Sequence, residues 1–202
     1  MNFQPECLYH VFNRGNNCRR LFYERSHYFY FLSKIKKEIL PYCDILAYCL
    51  MPTHYHLLIL PVEFDKRDGF LSYLTKDRIF HPLVRKIGSL QSSFSRTLNN
   101  EMNDTGSRFQ QKAKSKMLDK DEDYPVTCFH YIHQNPLRAK IVKELGQWEF
   151  SSYRDFAGLR DPFLVDVEKA IARLDLPTDK ARFIHDSHKL IPDEFNISMP
   201  MG

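Results

Sequence analysis

Two apolar, β-prone runs separated by only three residues constrain the fold more than any other feature of the sequence. The runs cover residues 45–50 and 54–60, and Met51, Pro52 and Thr53 lie between them. Short apolar runs bounded by turn residues are typical of buried strands, and so short a link joins strands that run antiparallel. The sequence therefore predicts an antiparallel pair of strands.

Strand-like and helix-like periods continue on both sides of this pair. They predict a strand over residues 7–13, a helix over 24–40, mostly helical chain over 65–103 divided at His81-Pro82, a strand over 108–118, and a helix that opens at 119–122 and is broken or kinked at Asn135-Pro136. The order strand, helix, strand, strand, helix, strand, helix is the split βαβ pattern. We therefore expect an α+β fold, a ferredoxin-like split βαβ sandwich with an antiparallel sheet. Such a fold hosts many functions, so the chemistry must be argued from particular residues.

A change of pattern near Pro162 divides the chain. We expect residues 1–160 to form a catalytic domain and residues 161–202 to form a C-terminal helical extension, with one helix over 165–174 and a shorter one ending near 190. The chain of 202 residues is long enough for one compact domain with such an appendage.

Composition excludes some classes of protein and permits others. The net charge of +4 permits an anionic partner such as nucleic acid without requiring one. Five cysteines with no CxxC pair form neither a disulfide framework nor a zinc ribbon, and are simply read as free thiols in a reducing compartment. The N-terminus has no signal-peptide pattern, and no apolar run approaches the roughly 20 residues of a membrane span. The sequence therefore predicts a soluble, cytoplasmic protein that has no membrane partner and no small-molecule cofactor.

A pair of histidines lies at the start of the second apolar run. On a strand, His54 and His56 point to the same face while Tyr55 points to the other. Two imidazoles side by side can bind a divalent metal ion. The alternative is two surface histidines on an ordinary strand, which this pair alone does not exclude.

A second group lies in the predicted helix that ends at Pro136. Tyr131 and Asn135 are four residues apart and share a helix face. A tyrosine hydroxyl can act as a covalent nucleophile, and an amide oxygen can complete a metal shell with two histidines. The alternative is a tyrosine that packs on the sheet and an asparagine that caps the helix. Taken together, the two groups are what a metal-dependent tyrosine nuclease requires.

Several segments in the same order resemble the HUH-type single-tyrosine transposases, and most closely the REP-associated tyrosine transposases. MPTHYHLLI at 51–59 is similar to the family's "MPNHxHLLI", and YIHQNPLRA at 131–139 is similar to its "YIHxNPVRAG". Three further segments agree with the family pattern: YHVFNRG at 9–15, FQQKAK at 109–114 and WEFSSY at 148–153. Thr53, Gln111, Lys112 and Lys140 depart from that pattern, and none of them removes a catalytic group.

The resemblance implies an enzyme that nicks and transfers single-stranded DNA strands through a 5′-phosphotyrosyl intermediate, in DNA transposition or the mobilisation of repeat elements. Matched motif by motif, His54, His56 and Asn135 are metal ligands for Mg²⁺ or Mn²⁺, and Tyr131 is the nucleophile. The expected partner is single-stranded or hairpin DNA. Members of the family act as monomers or as homodimers, and the sequence leaves both states open.

A nickase also needs cations for phosphate groups. The candidates are Arg14, Lys112, Lys114, Lys116 and Arg138. The three lysines alternate, so on a strand they form one stripe, and a solvated edge strand would carry the same pattern. Exposed aromatic rings such as Tyr9, Tyr55 or Phe109 could stack on bases, although the last two fit a core better.

Three functions compete. Besides an active nuclease, the chain could be a non-cleaving, repeat-binding or regulatory DNA-binding protein derived from a transposase. A third reading is a ferredoxin-like RNA-binding module, and the absence of its aromatic-rich strand motif argues against it.

Overall fold

A computed structural model describes residues 1–65, 70–72, 75–119, 123–189 and 191. Within these residues the chain forms, in order, β1 (Tyr9–Arg14), α1 (Arg25–Glu38), β2 (Cys43–Met51), β3 (His54–Pro61), β4 (Phe70–Ser72), β5 (Thr75–Phe80), α2 (Leu83–Glu101), β6 (Lys114–Met117), α3 (Tyr124–Arg138), α4 (Tyr153–Phe156), α5 (Val167–Leu174) and α6 (Lys180–Ser187).

The main sheet has four antiparallel strands in the order β2-β3-β1-β6. β3 therefore lies between β1 and β2, which are joined through α1, as the split βαβ pattern requires. The predicted α+β, ferredoxin-like fold with an antiparallel sheet is confirmed. The β2–β3 pair predicted from the apolar runs is also present, with Met51 opposite His54.

Helices cover both faces of the sheet, so β2 and β3 are buried almost throughout. α1 and α2 contact each other on one face, and their rings pack against Tyr55 of β3: the centroid of Phe31 lies 5.3 Å from that of Tyr55 and 5.0 Å from that of Phe94. α3 packs on β2 and β3 from the other face. Each buried aromatic side chain contributes about 1.5–3 kcal/mol through the area it removes from water.

The C-terminal extension packs against the same face as α3. Each of its two helices begins at an aspartate whose side chain accepts a backbone hydrogen bond, from Lys169 N at 2.9 Å for Asp166 and from Arg182 N at 2.8 Å for Asp179. Such caps stabilise a helix start by about 1 kcal/mol. The backbone N–H of Asp166 also donates to Ile45 O of β2 at 3.1 Å, which joins the extension to the edge of the sheet.

The segment before α2 differs from the prediction. We predicted mostly helical chain from residue 65, but β4 and β5 pair there as an antiparallel hairpin. Residues 66–69 and 73–74 of this stretch lie outside the described residues. A short stretch of mixed polarity satisfies helical and strand periods equally well, and the hydrogen bonds to a partner strand decide between them.

Two boundaries also differ. α3 continues through Pro136 to Arg138, whereas the sequence predicts a break or a kink at Asn135-Pro136; the helix is buried along most of its length, and this packing outweighs the proline's local preference. The predicted opening of this helix at residues 120–122 lies outside the described residues. The predicted strand over 108–118 is limited to β6, because the preceding residues bend away after a single bridge between Phe109 and Gly15. In the described part of the chain no helix is long and apolar enough to cross a membrane.

Candidate active site

The two histidines of β3 face α3, as their parity on the strand predicts. Their ring centroids lie 5.1 Å apart and the ring planes are almost perpendicular, at 88°. His54 is half-buried, whereas His56 is only 1% exposed. Tyr55 between them points to the opposite face and is buried against α1 and α2.

His56 is held in place by a third histidine. Its Nδ1 lies 2.8 Å from Nε2 of His10, which projects from β1 on the same face. Nε2 of His56 is buried and has no hydrogen-bond partner among the described residues. If Nδ1 of His56 donates to His10, Nε2 carries no proton and keeps a lone pair, which is how metal-binding histidines are usually oriented by their outer-shell partners. Burial, with smaller contributions from His10 and His54, holds the pKa of His56 well below its ordinary value, so the ring is neutral.

His54 is oriented by residues on both of its sides. Nδ1 lies 3.0 Å from Oγ1 of Thr53, and the side chain of Asn135 lies on the other side, close enough to raise the pKa of the ring. Burial lowers the pKa of His54 to about 4; Asn135 opposes this effect, and the guanidinium of Arg14 adds to it. His54 is therefore also neutral at pH 7. The hydroxyl of Thr53 gives His54 a polar contact at the position where the family pattern has asparagine.

Tyr131 reaches the histidines from α3. Its ring stands edge-on to His56 at 5.8 Å between centroids and to His10 at 6.5 Å. The side chain is 7% exposed, and burial raises the pKa of its hydroxyl, while Arg138 and a hydrogen bond with Asn135 lower it. The guanidinium of Arg138 lies 6.0 Å from the centroid of the tyrosine ring.

Asn135 connects the two elements. Its Nδ2 donates to Tyr131 O at 2.8 Å, one turn earlier in α3, and its side chain lies close enough to His54 and to the tyrosine hydroxyl to affect the pKa of both. The asparagine therefore does not cap the helix end. The four residues singled out from the sequence come together in one cluster, where two neutral imidazoles and one amide could hold a divalent ion.

A second group of side chains lies near the start of α1 and the end of α2. The ligand atoms of Glu24, His27 and Glu101 all lie within 4.8 Å of one another. Nδ1 of His27 accepts from the backbone N–H groups of Tyr23 and Glu24, at 3.1 and 3.3 Å, and Nε2 lies 3.1 Å from a carboxylate oxygen of Glu101. A helix-capping role accounts for these contacts without an ion.

The candidate cations lie in three places. Three of them lie on the same face of the sheet as the histidines. Arg14 is the register partner of His54, Lys114 is that of Phe12, and Lys116 is that of His10. Arg138 lies beside the tyrosine. Lys112 precedes β6 in a bend, so the three lysines do not form one stripe on a strand as predicted.

Two residues with a part in this site escaped the sequence analysis. His10 gave no separate signal, because its contact with His56 depends on the register of β1 against β3. His133 of α3 is 1% exposed, and its Nε2 lies 2.7 Å from Oγ of Ser152, which also bonds to the backbone of Tyr48 in β2. That contact fixes α3 against the sheet. The rings suggested for base stacking, Tyr9, Tyr55 and Phe109, are all buried.

Comparisons with known proteins find solved structures of similar fold. No protein-family model matches the chain, and no curated protein matches it. Among solved structures, it is similar to a REP-associated tyrosine transposase bound to a REP hairpin, with a TM-score of 0.57 and 18% sequence identity over 83% of this chain and 90% of that one. It is less similar to a bacterial tRNA(His) guanylyltransferase (Thg1)-like protein in complex with GTP, with a TM-score of 0.43 and 12% identity over 70% of this chain and 67% of that one. The first of these confirms the resemblance at the level of the fold.

Proposed function

We propose that this chain, which has the fold of a REP-associated tyrosine transposase, is a divalent-metal-dependent single-stranded DNA endonuclease and strand-transfer enzyme. Its nucleophile is Tyr131. The observation that carries the proposal is the convergence of His54, His56, Asn135 and Tyr131 from a strand and a helix, with a buried ring nitrogen on His56 that has no partner in the described part of the chain. A protein that merely used this surface to bind DNA would have no need of these four groups together.

The donor set suits Mg²⁺ or Mn²⁺. His54, His56 and Asn135 offer two imidazole nitrogens and one amide oxygen, and the softness of imidazole favours manganese over magnesium. When bound there, such an ion supplies Lewis-acid stabilisation of the negative charge that develops on the scissile phosphate. His10 and Thr53 hold the two histidine rings in the orientation that leaves nitrogens free for ligation.

The tyrosine chemistry needs no further reactant. The hydroxyl oxygen of Tyr131 attacks phosphorus, a bond forms between that oxygen and phosphorus, and the bond from phosphorus to the 3′ oxygen breaks. The tyrosine proton ends on the departing 3′ oxygen, so the products are a 5′-phosphotyrosyl link and a free 3′ hydroxyl. The reverse reaction with another 3′ hydroxyl transfers the strand, because the link keeps the energy of the phosphodiester. Arg138 favours the ionised hydroxyl and so opposes the effect of burial.

The basic residues around the cluster suit a nucleic-acid substrate. Arg14 and Arg138 flank the histidines and the tyrosine, and Lys114, Lys116 and Lys112 continue the positive charge towards the edge strand. Such residues bind phosphates without reading sequence. We propose single-stranded or hairpin DNA as the substrate and DNA transposition or the mobilisation of repeat elements as the role.

One assay tests the proposal. The protein is incubated with end-labelled, hairpin-bearing single-stranded DNA and Mn²⁺, and covalent adducts are separated under denaturing conditions. Wild type and Tyr30→Phe, which removes an exposed hydroxyl of α1, should form the adduct; Tyr131→Phe should bind the DNA and form none.

Two outcomes would contradict it. An adduct that survives Tyr131→Phe rejects the nucleophile assignment. Wild-type protein that binds the hairpin and forms no adduct at any Mn²⁺ concentration rejects the enzyme and favours the non-cleaving, regulatory alternative.

A further inference from the structure

A polar groove lies between α2 and the loop that leads to β6. Its cavity volume is about 360 Å³, within the range of about 300–1,000 Å³ that is usual for small-molecule sites. Gln91 and Phe109 form its buried floor, and Ser92, Arg96 and Gln111 stand at its exposed rim. The groove is on the face of the sheet opposite His54 and His56.

The floor of the groove is rigid because its polar groups are already bonded. The side chain of Gln91 donates to the hydroxyl of Tyr55 at 2.5 Å and accepts from Nδ2 of Asn13 at 3.2 Å. The same Nδ2 donates to Gln110 O at 3.1 Å, which fixes the loop to β1. A ligand in the groove would therefore meet a preformed surface, which lowers the entropic cost of binding.

The rim offers groups that remain available. Within the described residues, the guanidinium of Arg96, the hydroxyl of Ser92 and the amide of Gln111 form no hydrogen bond or ion pair. These are the groups that recognise the edges of nucleobases: a guanidinium is bidentate to O6 and N7 of guanine, and a carboxamide is bidentate to adenine. A single cation among neutral amides and hydroxyls suits a neutral base better than it suits several phosphate groups.

The groove and the candidate active site share a wall. With its amide in the orientation that satisfies both ends, the side-chain oxygen of Gln110 accepts from Nε and a terminal nitrogen of Arg14, at 2.7 and 3.3 Å. Arg14 is the register partner of His54 and acts on its pKa, so its side chain lies on the histidine face of the sheet, opposite the groove. The end of β1 thus separates the two sites by little more than one side chain.

We propose that this groove binds an unpaired purine base of the DNA strand, within a few nucleotides of the scissile phosphate. Arg14 would contact the phosphate between the two sites, and the base would turn into the groove against Arg96 and Gln111. The inference rests on the proposed nickase function and deepens it, because the groove would determine which nucleotide stands next to the nick.

A glycine allows the groove to be filled without disturbing the fold. Gly88 lines it from α2, and a Cβ added there would meet no atom within 4 Å. Gly88→Leu should fold at least as well as wild type, since leucine favours a helix interior by several tenths of a kcal/mol over glycine. Ser89→Leu is the matched control, because this exposed neighbour on the same helix does not line the groove.

The experiment measures binding in the Tyr131→Phe background, so that cleavage does not interfere. Hairpin DNA with single-stranded flanks is prepared with an abasic site at each flanking position in turn, and Kd is measured by fluorescence anisotropy. We expect one flanking position at which the abasic site raises Kd about 10-fold, in keeping with the value of one stacked or hydrogen-bonded base. Gly88→Leu should raise Kd for intact DNA by a similar factor and abolish the effect of that abasic site, whereas Ser89→Leu should change neither.

Each failure has a distinct meaning. If Gly88→Leu binds as wild type, or keeps its sensitivity to every abasic position, the groove is not a base site, although adduct formation by the protein with intact Tyr131 would still support the nickase. If the protein binds none of these DNAs, both the nickase and the groove are rejected.

Discussion

The two faces of the central sheet are built from the same strand, yet they differ in how their polar groups are satisfied. On the α1/α2 face, the hydroxyl of Tyr55 bonds to Gln91, which bonds to Asn13, inside a cluster of aromatic rings. On the α3 face, His56 keeps a buried nitrogen with no partner among the described residues, and so does His10. Adjacent residues of β3 therefore enter two different environments.

This difference suggests separate roles for the two faces of the sheet, one in stability and the other in catalysis. An unsatisfied buried polar group costs about 1–3 kcal/mol, and a bound ligand can offset that cost. Among the described residues, one ring nitrogen each of His130 and His133 in α3 also has no partner, and so does one terminal nitrogen of the buried Arg108 beside α2. The α1/α2 face stabilises the fold, and the α3 face carries the groups that we assign to catalysis.

The largest expected effect comes from substituting, one at a time, two adjacent residues of β3 that face opposite sides of the sheet. His56→Ala should lower the rate of adduct formation about 1,000-fold, because the several kcal/mol of charge stabilisation that depend on the ligand are lost. Tyr55→Phe should leave that rate within a few-fold of wild type and lower the free energy of unfolding by about 1–2 kcal/mol, because Gln91 loses its acceptor. Single-turnover rates and urea unfolding of both variants check the prediction. Equal losses of rate would remove the distinction between the two faces.

The second expected effect is a loss of stability in acid that comes from the α3 side. Burial holds the pKa of His130 at about 4 against an opposing contribution from Asp186, compared with 6.5 in an unfolded chain. Between these values the unfolded state binds the additional proton, so the stabilisation is complete above pH 6.5 and is lost as the pH falls to about 4. At about 1.4 kcal/mol per pH unit, this one group accounts for about 3 kcal/mol.

Urea unfolding of wild type and His130→Gln between pH 7.5 and 4 measures this contribution. The free energy of unfolding should fall less steeply with decreasing pH in the variant, and the difference in slope should correspond to at most one proton. Parallel curves for the two proteins would show that His130 is not responsible.

The smallest expected effect concerns His10, which supports a ligand of the proposed metal site. His10→Phe should raise the Mn²⁺ concentration needed for half-maximal adduct formation about 10–100-fold, because His56 loses the bond that orients it. The rate at saturating Mn²⁺ should change little. Tyr9→Phe is the matched control, since Tyr9 belongs to the same strand and its hydroxyl accepts from Gln4 N at 3.0 Å, away from the histidines. An unchanged Mn²⁺ requirement in His10→Phe would mean that its contact with His56 serves packing alone.

Much of the fold follows from local pattern. The apolar runs of β2 and β3 and the helical period of α1 identify these elements to within a few residues. The β4–β5 hairpin was mistaken for helix because its short, mixed stretches carry no decisive period. The passage of α3 through Pro136 could not be predicted either, since a buried environment can retain a helix that local geometry disfavours.

The candidate site shows the same division. The sequence by itself determined that His54 and His56 share a face, because a strand alternates its side chains, and that Tyr131 and Asn135 share another, because a helix repeats about every four residues. Only the tertiary structure decided that the two faces meet and that His10 supports His56. It also decided that the end of β1 connects this cluster to a groove on the opposite face. These relations depend on strand register and helix packing, which arise from contacts between residues far apart in the chain.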